Sequence, residues 1–496
     1  MNASAYLQPI TKTEQGLDPQ DWSELRQLGH RMVEDMIDHL ASVTQRPVWQ
    51  EMPAEVRRRF QSDPPLDGEG AEKAYRDFQQ YVLPYAEGNL HPRFWAWVIG
   101  AGSGLGMLAD MLAAGINPNL GSGDHAPALV ERQVIDWMKQ ALGFPAESSG
   151  LLVTGASMAN IIGLAVARHV KAGINVKENG LFASPARTMF YGSNETHNSI
   201  VKGLQLLGFG KQSFCPIEVS ADFKIKIAAL QDAIWRHKKD EGLKPVCVVG
   251  NAGTVNTGAV DDLAALADLC AEHGLWFHVD GAIGAPLAIS DKLQPMLRGM
   301  ERADSLAFDL HKWMQMPYDV GCVLVRDEAQ HREAFSEGAG YLSRMPRGLC
   351  SGERWFSDYG PELSRGLRAL KVWMCLKQHG LRKYGELFEQ NIEQADYLAG
   401  LVESSRELEL VARGELNIVC LRYRGRVRDE QVLNSVNREL LMRLQEQGIA
   451  APSVAILGGR FAIRVSICNH RSRREDLDLF VREMLRIGRE IEKFPA

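Results

Sequence analysis

The chain has 496 residues, 45% hydrophobic and 24% charged, an ordinary balance for a globular protein but too long for one compact core. Its formal net charge of -6 argues against general nucleic-acid binding. The eight cysteines form no C-x-x-C pair, and Cys247, Cys322, Cys420 and Cys468 sit inside apolar runs, so free buried thiols fit better than a disulfide framework or a zinc site. No metal is expected.

The first residues, MNASAYLQPITKTEQ, have no basic segment leading into an apolar core. No apolar run reaches the roughly 18 residues a spanning helix needs, so a cytoplasmic protein without a membrane partner is expected. Residues 1–90 read as a helical N-terminal segment. WSELRQLGHRMVEDMIDHLASV repeats apolar residues at helical spacing, and Pro53, Pro64, Pro65 and Gly68 break the rest of the segment into short pieces. Residues 91–385 alternate short β-branched runs with helical stretches: PVCVVG (245–250) predicts a strand, DDLAALADLCAEHG (261–274) a helix ended by glycine, and LWFHVD (275–280) another strand. Such alternation implies right-handed crossovers and a mainly parallel sheet in an α/β domain. Residues 386–496 carry ELNIVCLRYRG and GRFAIRVSIC as strands among amphipathic helices, a smaller α+β domain.

Open α/β sheets bind ligands at the carboxyl ends of their strands, so polar residues at those ends matter most. Asp280 ends LWFHVD, and Lys312 follows SLAFDL in a position poor for a free amine unless that amine reacts. VTGASMANIIGLAVARHV (153–170) passes from a strand through Gly155, Ala156 and Ser157 into a helix, where backbone N–H groups and the Ser157 hydroxyl face outward. That pattern is neither G-x-G-x-x-G nor a P-loop, and an ordinary helix cap would also explain it. His197, in YGSNETHNSIVKG, reads alone as a cap or surface histidine. Together, a lysine, a helix N-terminus, a carboxylate and a flat ring meet the needs of pyridoxal phosphate: an aldehyde partner, a phosphate cradle, a partner for the pyridine nitrogen and a stacking group.

The ordered motifs HPRFWAW (91–97), MLADMLAAGIN (107–117), PALVERQVIDWM (127–138), THNS (196–199), HVDGA (278–282), DLHKW (309–313), RALKVW (368–373) and FAIRVSICNHR (461–471) resemble the group II pyridoxal-phosphate-dependent amino-acid decarboxylases, closest in layout to the aromatic-L-amino-acid decarboxylases. The resemblance runs from about residue 22 to the C-terminus. It implies a fold-type I enzyme with a seven-stranded, mainly parallel sheet, and a homodimer with its active site at the subunit interface. By motif, Lys312 would bond the cofactor aldehyde, Asp280 would pair with the pyridine nitrogen, and His197 would stack on the ring and orient substrate. Ala156 and Ser157, with Thr254 and His311, would hold the phosphate; Asp309 also contacts cofactor in the family, and the small Ala282 would admit the ring's other face. Trp97 and Gly100, with His197, are the implied substrate contacts, although Phe94, Trp95 and Trp97 fit domain-interface packing equally well.

The implied reaction is decarboxylation of an L-amino acid, aromatic by preference, to its amine. Relatives carry a tyrosine on a mobile loop to protonate the α-carbon, and phenylalanine there favours oxygen-dependent conversion to an aldehyde. That loop is expected within residues 340–366; ungapped counting back from RALKVW places Phe356 at the tyrosine position, and Tyr359, three residues on, is the expected acid. Gly100, where relatives use a hydroxyl residue, and Ile283, where an aromatic is common, leave aliphatic or acidic substrates open. An aldehyde synthase and a non-catalytic cofactor binder are the alternatives.

Overall fold

The computed structural model describes residues 16–338, 343–352 and 354–493. It parts into two compact units, one formed by Met1–Arg46 with Glu55–Pro84, the other by Pro47–Ala54 with Tyr85–Ala496. In the first unit, helix Trp22–Ala41 starts at Asp21, whose carboxylate accepts the Ser23 N–H. Asp35 on that helix accepts from the Tyr75 hydroxyl at 2.6 Å and from the Gln79 amide Nε2 at 2.8 Å, pinning helix Ala71–Asp77 and the turn after it.

The second unit holds two sheets. The strands are β1 (Phe94–Trp95), β2 (Ser149–Val153), β3 (Arg187–Ser193), β4 (Phe214–Ile217), β5 (Leu243–Asn251), β6 (Trp276–Asp280), β7 (Ser305–Asp309), β8 (Gly321–Val325), β9 (Leu408–Arg413), β10 (Ile418–Tyr423), β11 (Ala451–Leu457) and β12 (Arg460–Ser466). The larger sheet has seven strands in the order β2-β8-β7-β6-β5-β3-β4, and β8 alone runs antiparallel to its neighbours. Every residue of β2, β6, β7 and β8 is buried, as expected of a sheet covered on both faces. This is the fold-type I architecture.

The predicted elements 245–250, 261–274 and 275–280 correspond to β5, helix Leu263–His273 and β6. That helix is capped by Asp262, which accepts from the Ala265 N–H, and ends at Gly274, whose φ of 68° suits glycine. The five-stranded sheet, ordered β1-β11-β12-β10-β9, contains both predicted C-terminal strands. It also takes in β1, which pairs parallel with β11 although the whole large sheet lies between them in sequence, so the HPRFWAW segment packs with the C-terminal strands. The expected boundary at 385/386 falls within helix Ala369–Glu403, which kinks at Gly380.

Candidate active site

Three strand ends and a strand-to-helix turn meet at the carboxyl edge of the large sheet. β2 passes through Thr154 and Gly155 into helix Ala156–Lys171. A Cβ at Gly321 would lie 2.5 Å from Gly155 Cα, and one at Gly155 would lie 3.1 Å from the His311 ring, so two glycines let this helix start press against the end of β7. There the Ala156 N–H donates to Asp309 Oδ1 at 2.7 Å. The second Asp309 oxygen stands 2.8 Å from Lys312 Nζ, and His311 Nε2 lies 3.6 Å from Oδ1. Asp309 is 2% exposed at its side chain and Lys312 23%, so the amine is partly open while its partner is buried.

Asp280 ends β6, buried, with Oδ2 accepting from Asn160 at 2.9 Å and Oδ1 from the Ala282 N–H at 3.2 Å. Both donors are neutral amides, and among the described residues no cation pairs with this carboxylate. His197 begins helix Asn198–Leu206, its Nδ1 2.8 Å from Ser199 Oγ. Burial pushes its imidazole below the usual histidine range, opposed by the Asp280 and Asp309 carboxylates and assisted by Lys312; these four residues therefore share one electrostatic environment. His311 is likewise depressed by burial; its Nδ1 accepts the Val320 N–H at 3.1 Å and its ring lies tilted against that of Tyr318, centroids 4.3 Å apart.

Several expected contacts have other surroundings than the sequence implies. The Thr254 hydroxyl closes its own turn, 3.1 Å from Thr257 Oγ1 and accepting the Ala259 N–H at 3.1 Å, and the side chain is buried there. Gly100 has no room for any side chain: a Cβ would stand 2.1 Å from the His311 carbonyl oxygen and 2.3 Å from that of Lys312. Ile283 is buried, its Cβ facing Gly253, which makes it a core residue. Of the aromatic segment, Trp95 packs edge-on against Phe480 and Phe94 is buried, while Trp97 is 57% exposed and its carbonyl accepts from Arg464 at 2.8 Å.

Tyr359 departs from its expected place as a free loop acid. It is buried, with its hydroxyl donating to Glu328 at 2.6 Å and its carbonyl accepting from His331 at 2.8 Å. Burial and the Glu328 carboxylate push the phenol well above its usual range. Phe356 is buried beneath the Arg365 guanidinium at 4.9 Å, an anchoring position. Residues 340–342 and 353 of the expected loop lie outside the described residues.

Sequence reasoning missed Asn160, Tyr318 and Arg464. The signal for Asn160 was a polar residue in the apolar run MANIIGLAVA; for Arg464 it was a charge inside the strand RFAIRVS. Arg464 is buried and spends Nε and Nη1 on the carbonyls of Asn256 and Trp97, Nη2 has no partner among the described residues, and burial lowers the group to about 10.

The site fits pyridoxal phosphate: a lysine amine beside a buried carboxylate, a second buried carboxylate lacking a cation, a helix N-terminus with Ser157 exposed, and an imidazole nearby. Residues 53–424 match the model of the pyridoxal-dependent decarboxylase conserved domain, and the chain belongs to this family of pyridoxal-phosphate-dependent amino-acid decarboxylases. It is 34% identical to an aromatic-L-amino-acid decarboxylase of Bacillus atrophaeus over 458 residues, 92% of this chain and 93% of that protein. A phenylacetaldehyde synthase of Petunia hybrida is 27% identical over 475 residues, 92% of each chain. The fold matches a crystal structure of Oryza sativa TDC with PLP and tryptamine at TM-score 0.88 and 24% identity, covering 96% of this chain and 100% of that one.

Proposed function

We propose that this enzyme decarboxylates an aromatic L-amino acid to its amine. The observation that carries the reading is the Lys312–Asp309 pair at 2.8 Å beside Asp280 and His197, at the strand ends where ligands of such sheets bind. Pyridoxal phosphate supplies a conjugated ring that accepts the electrons released when carbon dioxide leaves. Lys312 would bond its aldehyde, and Asp280 would hold a proton on its ring nitrogen. Ala156 and Ser157 at the helix start, with His311, would hold the phosphate; Asp309 would keep Lys312 in place. His197 would cover the ring and orient the substrate.

An aromatic substrate is supported by the exposed Trp97 ring and by the aromatic-L-amino-acid decarboxylase relative at 34% identity. Amine formation is supported by the same relative, because the aldehyde synthase stands at 27%. With Tyr359 bonded to Glu328, the other tyrosine of residues 340–366, Tyr341, becomes the preferred proton donor to the α-carbon. A homodimer is supported by Met111, Leu112 and Ile116, large apolar side chains 48–61% exposed on helix Gly104–Ile116. A reducing, cytoplasmic setting suits six cysteines buried as free thiols.

The decisive experiment incubates the purified holoenzyme with each L-amino acid and assays carbon dioxide, amine, aldehyde and peroxide together. Aromatic substrates should give amine and carbon dioxide in equal amounts. Turnover of acidic or aliphatic substrates alone overturns the substrate assignment, and stoichiometric aldehyde with peroxide overturns the product.

A further inference from the structure

Asn160 sits in the second turn of the helix that starts at Ala156, 1% exposed, and takes part in three hydrogen bonds. Its Nδ2 donates to Asp280 Oδ2 at 2.9 Å and to Ser199 Oγ at 3.0 Å, and its Oδ1 lies 2.9 Å from His278 Nε2. The direction of each bond is set from the far end of the chain of contacts. Trp276 Nε1 can only donate, and it donates to Ser305 Oγ at 2.8 Å. Ser305 is also 2.8 Å from His278 Nδ1, where it can donate its own proton. Burial lowers His278 to about 4, so the ring is neutral near pH 7 and its single proton lies on Nε2, facing Asn160 Oδ1.

The Asn160 amide is thereby oriented with both protons toward the site. Ser199 Oγ receives one of them and turns its own proton to His197 Nδ1 at 2.8 Å, which the Ser199 backbone N–H also approaches at 3.3 Å. Two donors at Nδ1 leave the proton of neutral His197 on Nε2, the nitrogen free to act on a ligand. The other Asn160 proton and the Ala282 N–H grip the two oxygens of Asp280 from opposite ends.

We propose that Asn160 is a positioning residue for the decarboxylation, fixing the Asp280 carboxylate directly and the His197 tautomer through Ser199. The inference rests on the assignment of Asp280 and His197 to the cofactor site. It predicts two separable branches: Ser199→Ala removes only the hydroxyl serving His197, leaving the weaker backbone N–H, whereas Asn160→Ala removes both a bond to Asp280 and the donor that orients the Ser199 hydroxyl.

The test compares wild-type holoenzyme with Ser199→Ala, Asn160→Ala, Asn160→Asp and the Ser199→Ala/Asn160→Ala double variant. Cofactor Kd, visible absorbance and circular dichroism of the bound cofactor, kcat and KM are measured for each. Ser199→Ala should keep the wild-type Kd and visible spectrum but lower kcat/KM roughly 10-fold. Asn160→Ala should shift the visible band, weaken cofactor binding and lower kcat/KM roughly 100-fold, and the double variant should be no worse than Asn160→Ala. Asn160→Asp has the same shape but at most one proton to give, so it should also shift the band; it decides the matter if Asn160→Ala does not fold. A wild-type spectrum and kcat in either folded Asn160 variant overturns the proposal, even with a lowered Tm, because that is the pattern of mere packing. An equal spectral shift in Ser199→Ala overturns the separate branches. Absence of a cofactor band from wild type itself would instead refute the site assignment.

Discussion

Lys312 Nζ stands 2.8 Å from one oxygen of Asp309, while the other oxygen of that carboxylate accepts the Ala156 N–H at 2.7 Å. One buried side chain thus joins the end of β7, the lysine turn and the start of the helix after β2. A lysine three residues after a buried aspartate is held without being sealed from solvent, which suits an amine that must bond and release a ligand.

Lys312 should therefore carry the cofactor covalently. Borohydride treatment of the holoenzyme should abolish its visible band, and peptide mapping should place the pyridoxyl group on Lys312. Recovery of the label on another lysine rules the assignment out. Lys312→Arg should keep the fold and lose the label.

Asp280→Asn keeps the shape of the side chain but loses the negative charge proposed to pair with the cofactor's ring nitrogen. A hydrogen bond to a charged group is worth about 1.5–3 kcal/mol, so turnover should fall at least roughly 10- to 100-fold while cofactor still binds. The amide would also place its own N–H groups against Asn160 or the Ala282 N–H, both of which are donors. Near-normal kcat in this variant would show that the carboxylate has another role.

Much of this site is legible in sequence because its residues stand at element boundaries that sequence marks well. Asp280 and Lys312 come after hydrophobic strands, and Ser157 starts a helix after glycine. The hidden part depends on distant parts of the chain meeting. Asn160 reaches Asp280 across 120 residues, and β1 joins β11 across the whole large domain. Neither periodicity nor turn chemistry carries such pairings. Gly100 and Ile283 look like altered substrate contacts in sequence, yet one is a backbone contact and the other lies in the core. The setting of Tyr359 is not legible in sequence because a loop without regular periodicity offers no register, and its burial depends on Glu328 and His331 in a neighbouring helix.

Gly100→Ser should not create a substrate-binding hydroxyl. Its Cβ would collide with the carbonyl oxygens of His311 and Lys312, at 2.1 and 2.3 Å, displacing the lysine turn. Overpacking of this kind typically costs about 1–3 kcal/mol. The variant should show a lowered Tm and reduced turnover on every substrate alike; a selective gain for one amino acid would show that position 100 does face the substrate.

Acid should destabilise the fold in the range set by its buried histidines. His331 is fully buried and lowered to about 4 by that burial, and His278 likewise. Between about pH 6.5 and 4 the unfolded chain binds protons that these native rings do not, so stability is lost as pH falls through that window, by up to about 3 kcal/mol for each ring. Urea midpoints measured from about pH 7.5 to 5 should fall accordingly. His331→Gln should lower stability at about pH 7.5 but flatten the pH dependence; an unchanged slope would place the titration elsewhere.

On the proposed function, amine and aldehyde are distinguished by whether a phenol delivers a proton to the substrate α-carbon. The Tyr359 hydroxyl donates to Glu328 at 2.6 Å, its ring is buried, and its phenol is driven upward by both burial and that carboxylate. Releasing it would leave Glu328 without that bond, at a cost of about 1.5–3 kcal/mol before any chemistry begins. Phe356 has no proton to give and is held beneath Arg365. Tyr341, the other tyrosine of the expected loop, lies outside the described residues and is the donor proposed above. Tyr341→Phe should cut amine formation and raise aldehyde, ammonia and peroxide, with carbon dioxide still released. Tyr359→Phe should lower Tm and leave the product ratio unchanged, because it removes a structural bond to Glu328. Phe356→Tyr should change the product little and stability more, since a hydroxyl must then be accommodated under the Arg365 guanidinium. A product switch in Tyr359→Phe, with none in Tyr341→Phe, would restore Tyr359 as the acid and require its bond to Glu328 to open during turnover.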